Sequence, residues 1–218
     1  MSIATARLSK KNVIALYSEI AYIYDVWAIL TETRARRRAL RLAGIENGES
    51  VLEVALGSGL TFREILKANP DGQNVGIDIT PAMLEKARRK ALQTGLRNYQ
   101  ILAGDAYDLR FPDGQFDLVM NNYMFDLLPE QDFVPVLEQF KRVLKSGGRI
   151  VLVNMTRGEH FYQYFWETVY RINPGWLGGC RGVLLSQALQ RAGFVNIRRE
   201  TTSQLGFPSE IITAATRR

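Results

Sequence analysis

The chain has 218 residues, one cysteine, one histidine and a formal net charge of +6, which suits one α/β domain with a short extension. Cys180 alone excludes a disulfide framework and a thiolate metal site, so no metal centre is expected. Residues 1–42 carry eight Arg or Lys against three acids, leaving the other 176 residues near +1. A basic face confined to the N-terminal segment suits an anionic lipid surface or nucleic acid. Aromatics interleaved with the arginines, as a single-stranded nucleic-acid platform wants, are missing from 34–41.

Residues 11–30 predict a helix with a narrow polar stripe. Lys11, Ser18 and Asp25 recur every seven residues, Glu32 continues the pattern, and most other positions are apolar. Such a helix must be covered, as a lid over a ligand mouth, around an apolar substrate or on a membrane; the alternative is a core helix with one exposed edge. Thr31 or Thr33 can cap a second helix through Ala43, ended by Gly44. The expected division is a basic, apolar helical lid or extension at 1–44 and the main domain at 45–218. Lys10 and Lys11 precede a stretch bearing Glu19 and Asp25 with no small-residue cleavage pattern, so a cytoplasmic location is expected, peripheral at a membrane if the basic helices dock there.

Residues 51–61, VLEVALGSGLT, organise the rest of the chain. Val51 to Ala55 read as a buried strand, Gly57 and Gly59 as a loop that a ligand can approach closely, and Thr61 as the N-cap of a helix. Strand, glycine loop and helix open a nucleotide-binding α/β unit. A dinucleotide fingerprint would place a third glycine where Phe62 stands. The carboxylate of Glu53 beside the loop would repel a pyrophosphate and attract a cation such as the ammonium and sulfonium of S-adenosylmethionine. An acid, three residues and G-x-G resemble the first motif of the class I S-adenosylmethionine-dependent methyltransferases. The sequence departs from that motif at Ala55, where a glycine is usual, and at Leu56.

Asn74–Asp78 reads as the second strand, and Asp78, about 20 residues past the glycine loop, stands where an acid takes ribose hydroxyls. Thr80 and Pro81 start the next helix, whose inward face holds Met83, either beside an adenine or in plain core packing. Tyr99–Leu102 is a third strand followed by Gly104-Asp105-Ala106, and the resemblance implies that Asp105 meets the adenine amino group. Phe116-Asp117 opens a fourth strand, Phe116–Met120, which gives way to Asn121-Asn122-Tyr123, without the prolines of the N-P-P-Y signature of base-modifying methyltransferases. The Leu144–Gly148 turn, L-K-x-G-G, leads to a fifth strand, and Phe194–Thr202 with Glu210–Thr216 form a terminal pair. The expected fold is a seven-stranded Rossmann-like doubly wound sheet, five parallel strands plus a C-terminal antiparallel hairpin, with helices on both faces.

Taken together the pattern most resembles the ubiquinone/menaquinone C-methyltransferase family, where a tyrosine-aspartate pair like Tyr24-Asp25 is common. The resemblance implies S-adenosylmethionine as cofactor, S-adenosylhomocysteine as product, and cofactor contacts at Glu53, Ala55, Gly57, Ser58, Gly59, Asp78, Ile79, Met83, Asp105, Ala106 and Asn121. His160, within an aromatic run reaching Trp176, titrates in the range a general base needs. Tyr123 stands beside the expected methyl-transfer point, and Tyr24, Asn122 and Arg157 are candidate acceptor contacts. The expected acceptor is small and apolar or lipid-like, methylated at carbon or oxygen as a quinol would be. Phospholipid N-methylation at a membrane surface is an alternative, and a non-catalytic cofactor-binding protein another. The oligomeric state is not legible.

Overall fold

The computed structural model describes residues 10–156, Thr168 and residues 180–217. At its centre is the short strand Ser50–Val54 (β1), buried from Val51 onward. Around it lie Gln73–Asp78 (β2), Tyr99–Ala103 (β3), Phe116–Asn122 (β4), Leu144–Met155 (β5), Val195–Gln204 (β6) and Phe207–Ala215 (β7). They form one seven-stranded sheet in the order β3-β2-β1-β4-β5-β7-β6. β1 to β5 are mutually parallel, and β7 pairs antiparallel with both β5 and β6. The hairpin's return strand is thus wedged inward, and β6 runs along with the parallel set. Leu205 and Gly206 make its two-residue turn, both at positive φ (51° and 78°), as tight hairpins of this hand require.

Helices cover both faces, as a parallel sheet of apolar strands demands. Lys10–Thr31 (α1), Thr33–Ala43 (α2), Leu60–Ala68 (α3) and Pro81–Leu92 (α4) precede Phe133–Val143 (α5) and Ser186–Arg191 (α6). Alanines 35, 39 and 43 of α2, with Phe62, Ile65, Leu84 and Ala87, pack on Val51 and Leu118. Phe133, Val136, Leu137 and Phe140 of α5, with Leu189 of α6, pack on Leu52, Val54 and Val119 on the other side. The chain leaves β1 through β2 to β3 in one direction and returns to β4 on the other side. That reversal opens a crevice at the carboxyl ends of β1 and β4, where open α/β sheets hold ligands.

Three local features differ from the sequence reading. α3 starts earlier than predicted, with Gly59 at the N-cap (φ 82°) and Thr61 inside the first turn. A Cβ at Gly59 would lie 2.8 Å from the Ala87 Cα, so this glycine serves the close contact of α3 with α4. β4 extends through Asn122, which makes Asn121 and Asn122 strand residues. The polar stripe of α1 is turned inward at its end: Asp25 pairs with Lys86 (3.1 Å) and Lys90 (2.8 Å) of α4, and Glu32 is buried. Val26, Ile29 and Leu30 are the large apolar side chains left exposed on α1 among the described residues.

Candidate active site

The ends of β1, β2 and β4 open into a cavity of about 440 Å³. Ala55 and Gly57 form one lip, both at φ 55°, and a Cβ on Gly57 would meet only the Tyr24 ring edge at 3.9 Å. An alanine at positive φ is uncommon and costs on the order of 1 kcal/mol. That conformation explains a usual glycine at this place, and the chain tolerates alanine because no larger side chain is asked for.

Asp78 closes the end of β2 and lines the cavity. Its carboxylate accepts from the Gly57 amide at 2.9 Å and the Thr80 amide at 2.8 Å, fixing the glycine loop to the head of α4. Burial raises its carboxyl, outweighing the amide bonds from Thr80 and Gly57 that pull it down. Asp105 and Ala106, after β3, form the next stretch of wall, and the Tyr107 hydroxyl donates to Asp132 at 2.7 Å.

Glu53 lies in an adjoining niche of about 30 Å³ shared with Glu32, Arg36 and Ser58, and with Asn122, which also borders the main cavity. Asn122 donates to Glu53 Oε1 at 3.1 Å, and the buried Oε2 has no partner among the described residues. Burial pushes the Glu53 carboxyl up to about 8, against the Asn122 hydrogen bond and the Arg36 charge. Glu32 is pushed to about 8 for the same first reason, opposed by Arg36. A buried acceptor oxygen without a donor is costly unless a donor or cation joins it.

The opposite wall comes from α1 and the segment after β4. Val13, Tyr17 and Tyr24 of α1 face Tyr123, Met124 and Leu127. The Tyr17 and Tyr24 rings lie 5.7 Å apart, and the Tyr123 hydroxyl shares a 2.8 Å hydrogen bond with Ser209. Burial raises all three phenols, so they remain protonated. α1 is held here by Asp25, which takes Ser58 Oγ at 2.5 Å along with the two lysines. Burial works against the Asp25 carboxylate, yet the bonds from Lys90, Ser58 and Lys86 hold it below its usual range.

Of the candidates read from the sequence, Ala55, Gly57, Asp78, Ile79, Met83, Asp105, Ala106, Asn122, Tyr123 and Tyr24 line this one cavity. Glu53 and Ser58 sit in the niche beside it. Gly59 is turned to α4, and the Asn121 amide donates to the Val54 carbonyl at 2.8 Å, tying β4 to β1 beneath the site. His160 and Arg157, with the aromatic run between His160 and Trp176, lie outside the described residues. Sequence reasoning misses Tyr17, Val13 and Arg36: on α1 and α2 they read as ordinary helix positions, and no spacing marks them.

These acceptor oxygens fit a ligand with neighbouring hydroxyls at Asp78 and a cation near Glu53 Oε2. Residues 51–148 match the family model described as a methyltransferase domain. The chain is 35% identical over 146 residues to the aklanonic acid methyltransferase DauC of Streptomyces sp. strain C5, covering 66% of each. It is 37% identical over 142 residues to the demethylmenaquinone methyltransferase of Thermus thermophilus, covering 63% of each. The aligned part is thus just under two thirds of these relatives' own lengths. The fold matches the crystal structure of the [4+2]-cyclase SpnF with a TM-score of 0.77 at 17% identity, over 99% of this chain and 98% of that one. The glycine loop, the strand-end acids and these matches support a class I S-adenosylmethionine-dependent methyltransferase, close to the menaquinone/ubiquinone C-methyltransferase family.

Proposed function

We propose that this protein transfers a methyl group from S-adenosylmethionine to a small apolar or lipid-like acceptor of the quinol or phenol type. The observation that carries the reading is the polarity of the cavity: strand-end carboxylates at one end, and Tyr17, Tyr24, Tyr123, Met124 and Leu127 at the other. The quinone in the name of one relative, demethylmenaquinone methyltransferase, agrees with that wall.

When bound, the cofactor supplies an electrophilic methyl: a bond forms from the acceptor to that carbon as the sulfur–carbon bond breaks, its electron pair returns to sulfur, and the acceptor sheds a proton. The chain's contribution is alignment and exclusion of water, worth roughly 7–11 kcal/mol of barrier at best. In this reading Asp78 would take the ribose hydroxyls, Asp105 and Ala106 the adenine edge, and Glu53 the ammonium. Met83, buried and lining the cavity, would pack against the base. The protonated phenols of Tyr17, Tyr24 and Tyr123 would orient an acceptor oxygen by donating to it. His160 remains the candidate for receiving the proton.

The test is incubation of the full chain with methyl-labelled S-adenosylmethionine and either a reduced short-chain naphthoquinol or phosphatidylethanolamine vesicles. Label in the quinol product is expected. Label in the amine headgroup instead would move the reading to phospholipid N-methylation. Micromolar binding of S-adenosylhomocysteine by calorimetry with no labelled product from any phenolic acceptor would favour a non-catalytic binding protein.

A further inference from the structure

We propose that the corner formed by the end of α1, the solvent face of α2 and the β6–β7 turn is a docking surface for an anionic lipid membrane. Four aliphatic side chains stand out of the protein there: Val26 (61% exposed), Ile29 (53%), Leu30 (50%) and Leu205 (72%). Val26, Ile29 and Leu30 share one helix face at spacings of three and four. Leu205 occupies a hairpin position at φ 51°, where asparagine or glycine relieves the backbone, so the fold holds a leucine outward at a conformational cost.

The two parts are fastened together. Gln204 Nε2 donates to the carbonyls of Ile29 (2.9 Å) and Leu30 (2.7 Å), and its Oε1 accepts from the Arg34 amide at 2.8 Å. The Arg34 guanidinium reaches the Ser203 carbonyl at 3.4 Å. From Arg34 the exposed stripe continues along α2 to Arg37 and Arg41. Arg38 is not part of it, since its charge is matched by Glu200 at 2.8 Å. Aliphatic knobs bordered by exposed arginines are the two signals that interfacial binding requires, insertion and charge.

The residue types choose among occupants. A nucleic acid would want aromatic stacking platforms among the cations, and this face holds aliphatic chains. A stable dimer buries about 1,000 Å² or more, while four half-exposed side chains offer roughly a few hundred. No single helix among the described residues is long and apolar enough to cross a membrane, and the halves of α1, Lys11–Ile20 and Tyr24–Thr31, reach that length and hydropathy only as a pair bent by 93°. The surface is distinct from the cavity: Tyr17 and Tyr24 of α1 point inward to the acceptor wall, and Val26, Ile29 and Leu30 point out.

Flotation of the full chain with vesicles, without cofactor or acceptor, tests this independently of methyl transfer. Binding is expected to phosphatidylcholine vesicles containing about one third phosphatidylglycerol, to weaken with added salt, and to be absent on phosphatidylcholine alone. Arg37→Ser and Arg41→Ser should each lower the partition coefficient about fivefold. Leu205→Asn removes the protruding side chain and suits positive φ, so it should lower binding about tenfold with no loss of thermal stability. Equal binding to both vesicle types, no binding to either, or variants that bind like the parent would overturn the proposal. So would sedimentation showing a dimer that Leu205→Asn dissociates, which would assign the face to a second copy of the chain.

Discussion

Two walls face each other across the cavity, and they are built by different means. The acidic end is a row of strand tips, with Glu53, Asp78 and Asp105 each at or just beyond the carboxyl end of adjacent parallel strands. Their positions follow from β1, β2 and β3 alone, because a parallel ladder fixes where each strand stops. The aromatic end is a helix laid over the mouth, and its place depends on Asp25 meeting lysines more than 60 residues away. The first wall is thus a property of the sheet, and the second a property of one docking contact. Perturbing them should therefore have separable effects.

The largest effect is expected at the strand tips. Asp78→Ala should weaken S-adenosylhomocysteine binding roughly tenfold to a hundredfold, the range for losing charge-assisted hydrogen bonds. The same change strands the Gly57 and Thr80 amides, which now donate to that carboxylate. Calorimetry checks it, and unchanged affinity would remove Asp78 from the cofactor site.

The second effect is a pH dependence confined to that same wall. Glu53 titrates near 4.5 in the unfolded chain and about 8 when folded, because burial favours its neutral form. The folded state therefore holds a proton that the unfolded state releases, and stability falls as pH rises from about 4.5 to about 8. Glu32, also near 8, adds to the same slope. A cationic ligand at Glu53 requires the ionised form, so cofactor affinity should rise by up to about tenfold per pH unit and level off above 8. Glu53→Gln should flatten that rise and increase the melting temperature at pH 8; thermal denaturation and calorimetry across pH 6–9 read both. A pH-independent affinity would mean that Glu53 does not meet a positive charge.

The contrast between the walls also explains how far the sequence could be read. The β-branched run at Val51–Val54, the glycine pair and the 20-residue interval to Asp78 are local signals, and each predicted strand is present within a few residues. That Asp78 and Asp105 line the cavity follows from their strand ends, the first marked by spacing and the second by the family resemblance. Ser58 and Gly59 look alike in the loop, yet one is taken by Asp25 and the other by the backbone of Ala87. Those partners belong to other helices, and nothing in the spacing of the loop names them. The same holds for the seven-residue stripe of α1, which reads as a solvent edge until Lys86 and Lys90, one turn apart on α4, supply its counter-charges. Tyr17 gave no signal at all, because an inward tyrosine on an apolar helix looks like core.

The smallest effect is expected where the second wall is fastened. Asp25 is partly buried and meets Lys86, Lys90 and Ser58, so Asp25→Asn keeps the shape and one hydrogen bond while removing the charge. A loss of about 1 kcal/mol is expected, the upper range for a partly exposed ion pair, or roughly 2–4 °C in melting temperature for a chain of this size. Because the folded Asp25 carboxyl is held below its usual value, this contribution is present above about pH 4 and fades as the pH falls through the folded value. Amides of α1 should exchange faster in the variant and in high salt, while those of β1 keep their protection. The Michaelis constant for the acceptor should rise more than the dissociation constant of the cofactor. If cofactor binding instead falls as far as in Asp78→Ala, the helix is part of the cofactor wall and the two halves of the cavity are one unit.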